Sequence, residues 1–141
     1  MRKPEQKVWD TMKTKFGNRP GLWLERVENV VAEGMPDVFG ATRGASHRGG
    51  VFFIELKAAK LPARSTTKVL GDAGLRVSQL GWHKKAFIYG LSVYTLIRDD
   101  KRNLYFIPCA LSDALNDMPL QALIEASVAT TWEEIAEILE S

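Results

Sequence analysis

The sequence is poor in the residues that form covalent cross-links and soft-metal sites, with one cysteine and two histidines in 141 residues. Cys109 alone cannot form a disulfide within the chain, and a cysteine-rich zinc site is excluded. His47 and His83 are too few to bind a metal without help from carboxylates. These absences favour a reducing, intracellular setting, and the expected location is the cytoplasm.

Long apolar runs are also missing. No stretch approaches the roughly 20 apolar residues of a membrane-spanning helix, and residues 1–5, Met-Arg-Lys-Pro-Glu, do not resemble the start of a signal peptide. Hydrophobic residues make up 45% and charged residues 26% of the chain, which is typical of a globular protein. We therefore expect one domain over residues 1–141 and no membrane partner.

Positive charge is absent from the C-terminal part. All 19 Lys and Arg residues lie in 1–107 with 10 of the 17 acids, whereas 108–141 contains 7 acids and no base. A core over about 4–107 and an acidic helical segment over about 108–141 are predicted. A basic body suits a polyanion such as a nucleic acid, although clustering of charge by chance is the alternative.

The hydrophobic pattern predicts the order helix, three strands, helix, two strands and two helices. A helix between strands of one sheet indicates an α/β fold with a mixed central sheet flanked by helices. Residues 61–74 are rich in Pro, Gly, Ser and Thr and predict a mobile loop. The predicted elements are Pro4–Phe16, Leu22–Val31, a strand from Asp37, Val51–Ala58, Ser78–Tyr89 (with Ser78 as N-cap), Leu91–Arg98, Leu104–Ile107, Pro119–Ser127 and Trp132–Leu139.

Two charged residues end an otherwise apolar strand. Glu55 and Lys57 are two apart, so they point to the same face as Phe53. Charges at buried positions must pair or bind a metal, although a simple ion pair at an exposed strand end is the alternative. Asp37 follows the bend at Gly34-Met35-Pro36, and the next hairpin brings it towards Glu55.

Such a group suits phosphodiester hydrolysis. Two carboxylates and a main-chain carbonyl are the hard oxygen ligands that Mg²⁺ and Mn²⁺ prefer. A lysine beside them can stabilise developing negative charge or help to activate a metal-bound water.

Met35-Pro36-Asp37 followed by Glu55-Leu56-Lys57 resembles the PD-(D/E)XK nuclease superfamily, and the predicted αβββαβ order matches its restriction-endonuclease-like core. The segment 34–37 together with a helix that opens Gln79-Leu80-Gly81-Trp82-His83 is similar to the VRR-NUC branch, whose standalone members are often from phages or bacteria. That branch is named for a Val-Arg-Arg run on the following strand, where this chain has Val93-Tyr94-Thr95-Leu96-Ile97-Arg98.

The resemblance implies a Mg²⁺-dependent DNA endonuclease in which Mn²⁺ can substitute, with products that carry a 5′-phosphate and a 3′-hydroxyl. Asp37, Glu55 and the Leu56 carbonyl would hold the metal, Lys57 would assist the attacking water, and Gln79 would orient Lys57 or the water. Some members of the branch cut branched DNA such as four-way junctions as dimers, so duplex, flap or junction DNA and a homodimer are expected.

For each further candidate functional residue, the alternative is a structural role as a solvated or core side chain. Glu5 and Glu28 are candidate extra metal ligands. Trp82 is a candidate for base stacking, whereas Trp9, Trp23 and Trp132 are expected in the core and His83 at the surface. A non-catalytic nucleic-acid-binding module, an exonuclease and a scaffold protein are the alternative functions. The predicted phosphate contacts are Arg43, Arg48, Lys60, Arg64, Arg76, Lys84 and Lys85.

Overall fold

A computed structural model describes residues 3–27, 33–43 and 50–141. The order of elements begins helix, three strands, helix, strand, as the sequence predicts. The elements are α1 (Pro4–Phe16), β1 (Leu22–Arg26), β2 (Val38–Thr42), β3 (Gly50–Ala59), α2 (Val77–Ile88), β4 (Ser92–Asp99), β5 (Leu104–Pro108), α3 (Ser112–Leu115), α4 (Leu120–Ala126) and α5 (Trp132–Glu140).

The five strands form one mixed sheet in the order β1-β2-β3-β4-β5. The β3–β4 pair is parallel and the other three pairs are antiparallel. Parallel neighbours need a crossover connection, and α2 provides it. The predicted α/β class and mixed sheet are therefore confirmed, with β3 as the central strand.

Helices pack on both faces of the sheet. On one face, Phe52, Ile54 and Leu56 of β3 are buried in a core that includes residues of α1 and α5. On the other face, Leu115 and Leu123 from α3 and α4 pack in a core with residues of β4 and β5. The acidic C-terminal helices therefore cap the sheet, because their apolar side complements the strands.

The segment 61–74 contains no α-helix or strand, in agreement with the predicted loop, but part of it is packed against the body of the protein. Val69 and Leu70 are buried in the second core, and the backbone N–H of Val69 donates to the Met118 carbonyl at 3.0 Å. Lys68 pairs with Asp117 at 2.7 Å. Two adjacent aliphatic side chains thus anchor a segment whose composition otherwise indicates a loop.

Two smaller predictions also need correction. Helix α2 begins at Val77 after the N-cap Arg76, so Ser78 is not its cap. The Trp23 side chain is 56% exposed and does not belong to the core, because it lies on β1, the strand at one edge of the sheet. Within the described ranges, no helix is long and apolar enough to cross a membrane.

Candidate active site

Glu55 and Lys57 lie side by side on the central strand and are almost completely buried, at 1% and 5% exposure. Alternation along β3 places them opposite the core residues Ile54 and Leu56. They occupy the face that α2 covers. An acid and a lysine at such depth need compensating partners.

Asp37 reaches Glu55 from the neighbouring strand. It immediately precedes β2, whose Val38 is paired with Ile54 in register. One carboxylate oxygen of Asp37, Oδ2, accepts a hydrogen bond from the Leu56 backbone N–H at 2.8 Å. The other, Oδ1, lies 4.0 Å from Arg26 Nη2 at the end of β1. The structure therefore brings Asp37, Glu55 and the Leu56 backbone together.

Gly34 fixes the approach of this segment to α2. Its φ is +85°, and a Cβ at this position would lie 2.2 Å from the Ser78 carbonyl oxygen. Only glycine combines that backbone conformation with so close a contact. The glycine of the Gly-Met-Pro-Asp segment thus docks the chain before Asp37 against the helix turn that carries Gln79.

Electrostatics at the carboxylate pair favour a bound cation. Burial, helped by the hydrogen bond and the charge of Asp37, raises the pKa of Glu55 to about 10. The Glu55 Oε1 atom is buried and has no hydrogen-bond partner among the residues that the structure describes. Two carboxylates and one unpartnered oxygen fit a divalent cation, because its charge would let both acids ionise.

Within the described residues, no group of three or more His, Cys, Asp or Glu side chains is arranged to hold a metal. A cation would therefore rely on two carboxylates, the Leu56 carbonyl and water or substrate oxygens, which is how Mg²⁺ is often bound. Glu5, at the start of α1, is close enough for its charge to raise the pKa of Glu55. Glu28 lies outside the described residues.

Gln79 links Lys57 to the first turn of α2. Its Oε1 accepts a hydrogen bond from Lys57 Nζ at 3.2 Å and another from the Arg76 backbone N–H at 2.9 Å. The second bond is the capping interaction of a glutamine at the third helical position. Helix capping thus holds the amide oxygen that orients the lysine.

His83 lies one turn beyond Gln79 and is fully buried, so the prediction of a surface histidine is wrong. Its Nδ1 lies 2.8 Å from Ser112 Oγ, while Nε2 is buried and has no partner within the described parts of the chain. Burial, together with the charge of Lys57, lowers the pKa of His83 to about 4. Sequence reasoning missed both this pair and Arg26, because their partners come from other parts of the chain.

The predicted phosphate contacts are dispersed. Arg76 is the N-cap of α2 beside Gln79, whereas Lys84 and Lys85 lie about 12–14 Å further along the helix axis. Lys60 follows β3, and Arg48 lies outside the described residues. The described members are exposed: Arg43, Lys60, Arg64, Arg76, Lys84 and Lys85.

A row of aromatic side chains leads across the sheet to the site. Trp23, Phe39, Phe53 and Trp82 meet edge to face, with ring centroids 5.2–5.7 Å apart. Phe53 is two residues before Glu55 on the same face. The predicted stacking residue Trp82 therefore belongs to a half-exposed apolar surface next to the carboxylates.

Comparison with known proteins supports the fold. No family model matches the sequence, and no curated protein sequence matches it, so the VRR-NUC resemblance stays a prediction. The structure is similar to that of Hjc, a Holliday junction resolvase from the archaeal hyperthermophile Archaeoglobus fulgidus. The TM-score is 0.55 at 14% sequence identity, over 94% of this chain and 96% of the resolvase. The two proteins share the restriction-endonuclease-like α/β fold.

Proposed function

We propose that this protein is a Mg²⁺-dependent nuclease that cleaves phosphodiester bonds in branched DNA, such as four-way junctions or flaps. The observation that carries the proposal is the assembly of Asp37, Glu55, Lys57 and Gln79 on one face of the central strand. The resolvase that shares the fold acts on four-way junctions, and this favours branched DNA as the substrate.

Each residue has a distinct part in the proposed reaction. Asp37, Glu55 and the Leu56 carbonyl would hold Mg²⁺ or Mn²⁺, which would supply charge neutralisation at the scissile phosphate and activation of the attacking water. Lys57 stabilises the negative charge that develops on the phosphate, and Gln79 fixes the direction of its ammonium group. The expected products carry a 5′-phosphate and a 3′-hydroxyl.

A homodimer is the expected working form, because a four-way junction has two-fold symmetry and two cuts require two sites. Large apolar side chains are exposed around the C-terminal end of α2: Phe87, Ile88, Tyr89 and Leu91. Contiguous exposed apolar surface marks an interaction site. We assign this surface, the α2-end patch, to the contact between two copies of the chain.

A cleavage assay tests the nuclease. Labelled four-way junction, flap, linear duplex and single-stranded DNA are incubated with wild type, Lys57→Ala and Lys13→Ala, with Mg²⁺, Mn²⁺ or EDTA. We expect metal-dependent cutting of the branched DNA, a loss of about 100-fold or more in single-turnover rate for Lys57→Ala, and wild-type rates for Lys13→Ala. Lys13 is a matched control because it is an exposed lysine of α1 outside the site.

The outcomes separate the candidate functions. Cutting that begins only at DNA ends would replace the endonuclease with an exonuclease. If the wild type binds junctions but does not cut them with any metal, the protein is a non-catalytic nucleic-acid-binding module on the same fold. If Lys57→Ala still cuts DNA at the wild-type rate, the assignment of the active site is refuted.

A further inference from the structure

Two neighbouring cavities lie between α1 and the β4–β5 hairpin, on the side of the sheet opposite Lys57. The larger, of ≈ 540 Å³, is lined in part by Ala58, Ala59 and Lys60, the three residues that directly follow Lys57. The smaller has a volume of ≈ 440 Å³. Lys7, Arg98 and Arg102 line both cavities, so the two form one continuous groove.

The groove is strongly basic. Four cations and two acids line the larger cavity, while four cations and one acid, Asp10, line the smaller. Burial and the charge of Arg102 lower the pKa of Arg98, as expected where like charges are held together. Lys7, Thr11 and Lys15 lie one turn apart on one face of α1 and span about 12 Å, the axial length of three or four nucleotides.

The two acids of the larger cavity are engaged elsewhere. The Asp99 carboxylate accepts hydrogen bonds from the backbone N–H groups of Lys101 and Asn103 and from the Tyr105 hydroxyl. Asp100 accepts one from the Leu61 backbone N–H at 3.0 Å. Within the described ranges, the ion pairs involve Arg19, Arg26 and Lys68 and none of the groove cations.

Arg102 occupies its place at a conformational cost. Its φ is +68°, and it is the single non-glycine residue with a positive φ among the described parts of the chain. Glycine or asparagine is favoured in such a turn. Arg102 lines both cavities with its cationic side chain although its backbone is strained, and this combination indicates that the cation has a function.

We propose that the groove formed by Lys7, Lys15, Lys60, Arg98 and Arg102 binds the phosphate backbone of a second segment of the nucleic acid, away from the strand that is cut. This assignment rests on the proposed function. A branched substrate presents a second duplex arm beside the one at the catalytic site, and the groove begins one residue beyond Lys57, around the end of the sheet.

The test uses a labelled four-way junction and a linear duplex of equal length, bound in EDTA by the Lys57→Ala protein. Lys7→Ala and Arg102→Gly are added to this background singly and together, and Lys13→Ala is the control on the same helix. We expect about tenfold weaker junction binding by the double variant, and a slope of log affinity against log salt that is smaller by about one per cation removed.

Arg102→Gly carries a second, opposite readout. We expect its Tm to rise, because glycine adopts the positive φ without strain, while its junction affinity falls. A weaker affinity therefore cannot be attributed to misfolding. If both single variants keep the junction affinity and the salt slope of the parent protein, the DNA-binding role of the groove is refuted. It is also refuted if Lys13→Ala weakens binding as much as Lys7→Ala does.

Failure of the groove and failure of the nuclease give different results. If the wild type cuts no substrate but junction binding depends on Lys7 and Arg102, the DNA-binding role of the groove is supported and the nuclease activity is refuted. If the wild type cuts junctions but both variants bind them as tightly as the Lys57→Ala parent does, the nuclease proposal is supported and the groove proposal is refuted. If the Lys57→Ala protein binds neither the junction nor the linear duplex, the DNA-binding role of the groove is refuted.

Discussion

His83 illustrates how a single side chain couples the candidate site to the C-terminal segment. It shares a face of α2 with Gln79, and its ring contacts Ser112, 29 residues further along the chain. Its neighbour Lys57 is a cation, so a charged imidazole would be both desolvated and repelled. We therefore expect His83 to stay neutral in the folded protein at physiological pH.

This burial predicts a loss of stability in mild acid. The pKa of His83 is about 4 in the folded state against an ordinary value of 6.5, so between these pH values the unfolded chain binds more protons and stability falls as pH falls. Urea unfolding at pH 7.5 and 4.5 should show that the wild type loses about 2–3 kcal/mol more than His83→Asn, which keeps a hydrogen-bonding group for Ser112. Parallel losses in both proteins would contradict the assignment.

The elements around the site differ in how readily the sequence predicts them. Strand β3 is predictable because a run of β-branched and aromatic residues, 51–54, directly precedes Glu55 and Lys57. Helix α2 is predictable because Gly90, with a φ of 74°, ends a helical pattern. The Gly34–Ser78 contact and the burial of His83 are not predictable from the sequence, since each depends on a partner that local periodicity does not specify.

Gly34 gives a prediction at the level of elements, because it joins the segment before β2 to the start of α2. Gly34→Ala should destabilise the protein by about 2 kcal/mol or more through positive-φ strain and contact with Ser78. It should also slow cleavage by displacing Asp37. Thermal unfolding and single-turnover cleavage measure the two effects.

Gly81→Ala is the matched control for that substitution. Gly81 lies on α2, and a Cβ there would meet nothing within 4 Å. Alanine in a helix interior should stabilise the protein by up to about 1 kcal/mol, with no change in cleavage. Equal effects of the two alanines would show that the Gly34 contact does not position the site.

Over the whole molecule, the division into a basic body and an acidic segment does not persist as two separate parts. Arg19, just after α1, pairs with Glu133 at 3.2 Å and with Glu140 at 2.5 Å, both on α5. Exposed pairs of this kind contribute little stability, and apolar packing of α5 on α1 holds the segment in place. The acidic helices thus shield one side of the body and leave the groove residues Lys7, Lys15, Lys60 and Arg102 exposed.

The assignment of the dimer contact can be tested at this scale. Ile88→Glu places a charge in the α2-end patch, and Ile124→Glu places one on α4, where the side chain is 45% exposed. Light scattering coupled to gel filtration should find a dimer for the wild type and Ile124→Glu, and a monomer for Ile88→Glu. A monomeric wild type, or dissociation by Ile124→Glu alone, would contradict this interface.

The parallel pairing of β3 with β4 has a consequence for synthesis of the chain. Asp37, Glu55 and Lys57 leave the ribosome early, but β3 gains its second neighbour only after the crossover through α2, and its apolar face is closed only when α5 arrives. Contacts between residues so distant in sequence form late in folding. If the proposed function is correct, a nascent chain carries the three proposed catalytic residues without the arrangement that would make them active, so unfinished copies would not cut nearby nucleic acid.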